Sequence, residues 1–160
     1  YNATPAALAA LACFGANIAI TVAMSSRAQH IEDVRAQLPA GGHLVLDSDM
    51  RQLMTEADLA VGAAGASAFE RAVLGLPSII VIAAENQRGL ADLLIDAGAA
   101  TYCGYLNSGM KNRLSNAARV LVGNGQARFR MSRAASNLID GQGGARIHKD
   151  FLEMDRIHSV

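Results

Sequence analysis

The run Ala57-Asp58-Leu59-Ala60-Val61-Gly62-Ala63-Ala64-Gly65-Ala66-Ser67-Ala68-Phe69-Glu70 sets a short apolar strand, Leu59 to Val61, before a loop of small residues and a helix beginning near Ala66. Ser78 to Ala83, the strongest apolar run, follows that helix. Strand, helix and strand in close succession are the unit of a parallel sheet covered by helices. Working outward, Ile18 to Met24 and His43 to Asp47 extend the alternation upstream, and Ala100 to Cys103 extends it more weakly downstream. Several of these strands are continuous hydrophobic runs, which implies burial on both faces.

Helices fill the intervals. Ile31, Val34 and Leu38 mark one apolar face, and Leu90, Leu93, Leu94 and Ala97 mark another. Pro39 with Gly41-Gly42 stops the first, Gly75 and Pro77 stop the helix after Ser67, and Gly98 stops a helix that Asn86 can cap. After residue 105 only helical spacing remains: Leu114, Ala118 and Leu121, then Ile147, Phe151 and Met154. The expected fold class is therefore α/β, a parallel sheet sandwiched by helices with a helical C-terminal flank. Residues 107–109, 123–125 and 141–144 read as loops.

The 160 residues carry 14 Lys plus Arg against 14 Asp plus Glu, and 51% of them are hydrophobic. A chain of this length forms one domain and buries roughly 70% of its unfolded surface. Neutral charge with 4% aromatic residues argues against a basic, base-stacking nucleic-acid groove. Cys13 and Cys103 lack CxxC spacing and read as buried, reduced thiols; His30, His43, His148 and His158 never fall at a ligand spacing, so no metal is expected. His43 reads as a strand start and His148 as a helical surface residue. Residues 5–24 are free of charge, yet Gly15-Ala16-Asn17 interrupts them, and a helix leading into a strand explains them better than a membrane span. Asn2-Ala3-Thr4 matches a glycosylation sequon but reads more simply as the entry to a helix with Pro5 in its first turn.

The loop after Val61 holds the chemistry. Small residues let a ligand approach the backbone, and the free amides of a helix start suit a phosphate. Ser67 can add a hydroxyl, and Glu70, one turn on, can accept hydrogen bonds from a ribose diol. Against this, Gly62 and Gly65 can simply make a tight turn, with Ser67 and Glu70 a capping box. The residue order departs from both the GxGxxG and the GxxxxGK[ST] fingerprints. Glu85-Asn86-Gln87 opens a second helix after the strongest strand, at the strand end where open parallel sheets collect ligands. Its two carboxamides can read sugar hydroxyls, or be an Asn cap with an exposed Gln.

Asp58 to Val61, Gly62 to Ser67, Phe69-Glu70-Arg71, Leu74-Gly75-Leu76-Pro77-Ser78 and Glu85-Asn86-Gln87 together resemble the C-terminal lobe of GT-B nucleotide-sugar proteins. Among these the chain looks most similar to the PseG-type UDP-sugar hydrolases of the pseudaminic acid pathway and the related SpsG spore-coat polysaccharide proteins. The stretch Ile139 to Arg146 favours them over the MurG-type glycosyltransferases, although no role attaches to Asp140 to Arg146. The resemblance implies a Rossmann-like sheet forming one GT-B lobe over residues 1–160.

It further implies that Gly65, Ala66 and Ser67 hold the diphosphate, Glu70 the ribose, the loop from Leu46 to Met50 the uracil side, and Asn86 with Gln87 the sugar. The implied partners are a UDP-sugar and an N-terminal lobe of the same enzyme, with no nucleic acid, membrane span or cofactor. No catalytic residue is expected within the chain, because the hydrolases carry a catalytic histidine in the first lobe, whose glycine-rich segment is missing here. The expected function is the substrate-binding half of a UDP-deoxy-amino-sugar hydrolase that releases UDP. Alternatives are the donor lobe of a glycosyltransferase and a non-catalytic nucleotide-sugar-binding domain. Reduced cysteines and the lack of a signal segment point to the cytoplasm.

Overall fold

In the computed structural model, residues 3–107 and 109–149 are described. Pro5 lies in the first turn of α1 (Thr4–Leu11), where its missing N–H costs no helical bond. A kinked 3-10 segment, Ala12–Asn17, follows, with Gly15 at φ 54. The chain then alternates through β1 (Thr21–Met24), α2 (Ile31–Gln37), β2 (His43–Leu46), α3 (Met50–Glu56), β3 (Ala60–Ala63), α4 (Ala66–Val73), β4 (Ser78–Ile82), a 3-10 turn (Glu85–Gln87), α5 (Arg88–Asp96) and β5 (Thr101–Tyr105). Two helices, α6 (Met110–Val122) and α7 (Gly125–Leu138), and a helical stretch over 143–149 form the flank. Phe151, Met154 and His158 lie outside the described residues.

All five strands run parallel, as expected, but they form two ladders rather than one: β1-β2, and β3-β4-β5. Burial on both faces holds fully only for β4, whose five residues are all buried. In β1 and β2, exposed and half-buried residues share each strand, as a two-stranded ladder dictates. Side chains alternate across β4. Ile80 and Ile82 enter a core with Ala68, Ala72, Leu94 and Ala135, while Ile79 and Val81 enter another with Cys103, Met110, Leu114 and Ala118. Alanines on the facing helices let them approach the sheet closely. Helix α1 joins the ladders: Ala10 belongs to the second core, Leu8 packs with Ile20 and Val34 beside β1-β2, and Leu11 touches both groups.

Two helices go beyond the sequence reading. Asp49 caps α3 by accepting from Arg51 and Gln52 N–H at 2.9 and 3.2 Å, so the expected loop from Leu46 to Met50 shortens to residues 47–49. Asn124 caps α7 through Ala127 N–H at 3.0 Å, leaving Gly125 helical. The reading of both cysteines as buried is corrected for Cys13, which is exposed on the kinked segment with its Sγ 3.4 Å from Ser115 Oγ. Cys103 is buried, and burial pushes its thiol up to about 11. His43 opens β2, and His148 is exposed within 143–149.

Candidate functional site

Strand β3 ends at Ala63, and the chain crosses Ala64 and Gly65 into α4. Gly65 takes the N-cap position with extended backbone (φ −111) and supplies no side-chain cap. The leading amides of a helix have no intrahelical carbonyls, so this turn presents donors at the positive end of the helix dipole. The two glycines of the loop differ in kind. A β-carbon on Gly62 would stand 2.8 Å from Arg71 Nη1, whereas one on Gly65 would meet nothing within 4 Å. Gly62 is thus explained by internal packing. The face of Gly65 is open: among the described residues, no atom lies within 4 Å of where its β-carbon would be.

The capping box does not form. Ser67 lies inside α4, and its Oγ accepts from Arg71 Nη1 at 3.1 Å instead of capping, so Glu70 has no reciprocal role and remains exposed. Arg71 is the residue that sequence reasoning left without a part. It is 6% exposed, and its Nε and Nη2 also donate to Ser78 Oγ (3.2 Å) and the Ala63 carbonyl (3.0 Å). Desolvation lowers its pKa, while the nearby Glu70 charge opposes that shift. The signal was present in the helical spacing, because Arg71 shares a stripe with the buried Ala68 and Ala72.

At the end of the neighbouring β4, the two carboxamides exchange their expected parts. Asn86 caps nothing and is exposed, while Gln87 Oε1 accepts from Ala83 N–H at 3.0 Å and pins the loop. Beyond it, Tyr105 O–H donates to Glu85 Oε2 at 2.8 Å and Arg88 reaches the same phenol at 3.4 Å. The Glu85 hydrogen bond raises the Tyr105 pKa. Parallel pairing sets Ala63 beside Val81, so the loops after β3 and β4 leave the same edge of the sheet.

The expected uracil side lies at the ends of β1 and β2. A groove of about 270 Å³ is lined there by Ala23, Met24, Ser25, Asp47, Ser48 and Met50. Leu46 is exposed but does not line it. Asp47 takes a left-handed conformation (φ 48), which Asp tolerates better than most residues, and accepts from Ser26 N–H at 3.0 Å. The Ser26 side chain first, and this backbone N–H second, hold the Asp47 carboxyl below the usual range.

The Asp140 to Arg146 stretch resolves into a clamp. Asp140 accepts from Arg146 through both oxygens (2.8 and 3.0 Å) and from Gln142 N–H (2.9 Å). Gly141, at φ 71, turns the chain where a β-carbon would press on Val73 at 3.3 Å. Among the described residues, no cluster of His, Cys, Asp and Glu could hold a metal ion, and no helix is long and apolar enough to cross a membrane.

This parallel-stranded lobe, with small-residue and carboxamide loops at its strand ends, is one lobe of a GT-B protein, and residues 7–150 match the glycosyltransferase family 28 C-terminal domain. The chain belongs to that family. Among individual proteins, it is 28% identical over 127 residues to the spore coat polysaccharide biosynthesis protein SpsG of Bacillus subtilis (strain 168). That alignment covers 78% of this chain and 38% of SpsG.

Proposed function

We propose that this lobe binds the nucleotide part of a UDP-sugar. The diphosphate lies on Gly65, Ala66 and Ser67, the ribose at Glu70, the uracil towards the groove that includes Met50, and the sugar towards Asn86 and Gln87. The observation that carries this reading is the open face of Gly65 at the start of α4. The glycine there answers no packing demand among the described residues, and the donors beside it suit an anion. Held there, a diphosphate leaving group would be oriented and its developing charge offset by fixed amides.

The reaction we favour is hydrolysis of a UDP-deoxy-amino-sugar, with a histidine from another lobe activating water at the anomeric carbon. The resemblance of the Ile139 to Arg146 stretch to the PseG-type hydrolases supports this choice, and similarity to SpsG supports a part in polysaccharide biosynthesis. Transfer to an acceptor is the second reading, favoured by the family match. Titration calorimetry of the folded chain with UDP, ADP and CMP tests the binding claim. UDP is expected to bind tightest, and absence of heat with all three overturns the proposal. The chain alone is expected to turn over no UDP-sugar. In an enzyme carrying both lobes, UDP release without an acceptor supports hydrolysis, and release only with one supports transfer.

A further inference from the structure

Arg71 carries its charge into the protein behind the proposed diphosphate loop without a carboxylate partner. Its salt-bridging options are unused among the described residues, and all three of its hydrogen bonds go to neutral oxygens. Burying a guanidinium in this way is unfavourable unless something offsets it. The two serines it touches differ. Ser78 accepts from Arg71 and passes its own proton to the Leu76 carbonyl at 3.0 Å, so its bonding is internally complete. Ser67 also accepts from Arg71, yet its hydroxyl proton makes no bond among the described residues.

A hydroxyl has one proton to donate. With a cationic N–H directed at its lone pair, Ser67 is biased to turn that proton away from Arg71. The guanidinium also polarises the O–H, strengthening it as a donor to an anion. Because Nη2 holds the Ala63 carbonyl, the same side chain ties the end of β3 to the first turn of α4 across the loop between them. Gly62 gives the guanidinium the room to do so.

We infer that Arg71 is a positioning residue for diphosphate binding, fixing the Ser67 hydroxyl as a donor to the phosphate oxygens without itself touching the ligand. This inference rests on the diphosphate lying at Gly65 to Ser67. It assigns Ser67 and Arg71 to one functional unit rather than to two independent contacts.

The test is a double-mutant cycle on the folded chain, read by calorimetry with UDP and with uridine, which lacks phosphate. Ser67→Ala and Arg71→Met are each expected to weaken UDP binding by about tenfold. The double variant should lose no more than the weaker-binding single, and uridine binding should stay unchanged in all three. Should Arg71→Met fail to fold, Arg71→Lys replaces it, since lysine cannot hold three oxygens in one plane, and the same non-additivity with Ser67→Ala is expected. Additive losses, equal losses for UDP and uridine, or an Arg71 variant with full UDP affinity overturn the inference while leaving UDP binding by the parent chain in place. A parent chain that binds no UDP overturns both the inference and the nucleotide reading beneath it.

Discussion

Gly62 and Arg71 are fitted to one another: the guanidinium occupies the space beside residue 62 so closely that a β-carbon there would stand 2.8 Å from Nη1. This contact ties the last residues of β3 to α4 and separates the structural glycine of the loop from the open one.

Gly62→Ala is accordingly expected to lower unfolding free energy by about 1–3 kcal/mol, because neither the strand nor the three-bonded guanidinium yields freely. Gly65→Ala should stay within about 0.5 kcal/mol of the parent. Urea unfolding distinguishes them. A leucine at Gly65 should leave stability intact and abolish UDP binding; UDP affinity retained with leucine in place would remove this turn from the site.

Glu70→Ala should weaken UDP binding by about 1–3 kcal/mol if the carboxylate accepts ribose hydrogen bonds. Its effect on melting temperature should be small, since Glu70 is exposed and takes no part in a capping box. Comparing UDP with its 2′,3′-dideoxy form isolates the ribose contact: the parent should prefer UDP, and the variant should not.

Gly75 closes α4 at φ 65, and a β-carbon there would sit 2.6 Å from Ser136 Oγ and 3.0 Å from Ser132 Oγ on α7. Gly75→Ala should cost about 2 kcal/mol, part from the left-handed backbone and part from the clash. In a Ser136→Ala background the clash lessens while the backbone cost remains. Chemical denaturation should therefore show a smaller, non-zero penalty there.

Asp140 titrates at about 2 rather than 3.8, chiefly because Arg146 donates to it. A carboxyl depressed in the folded state stabilises above its unfolded pKa and loses that contribution as pH falls through the folded value. The melting temperature of Asp140→Asn should lie below the parent's at pH 6, and the gap should close between about pH 4 and pH 2. A gap that persists unchanged to pH 2 would mean that the ion pair contributes nothing.

The βαβ alternation was legible because Ile79 to Ile82 of β4 are apolar without interruption and because Gly75 and Pro77 mark the end of α4. Helix α3 was not, since Met50, Leu53 and Met54 give too short an apolar stripe and its cap, Asp49, follows closely on β2, which ends at Leu46. The division into two ladders is equally invisible in sequence, because pairing between strands depends on how helices such as α1 space them. At the site, the position of Gly65 followed from local pattern alone. The role of Arg71 did not, because the stripe it shares with Ala68 and Ala72 marks its burial but not the oxygens it meets. The cap assigned to Asn86 failed for a related reason: Gln87, with one more methylene, reaches back to Ala83 N–H.

Among the described residues no strand pairing joins β1-β2 to β3-β4-β5, and this has a dynamic consequence. Side-chain packing of α1 joins the two ladders, with Leu8 on one side, Ala10 on the other and Leu11 touching both, so the smaller one is expected to open as its own cooperative unit while the other stays closed. Amides of Val22 to Leu46 should then exchange with solvent deuterium well before those of Ile79 to Ile82. Shaving Leu11 to alanine should widen that interval, since it loosens a side chain that packs against both groups.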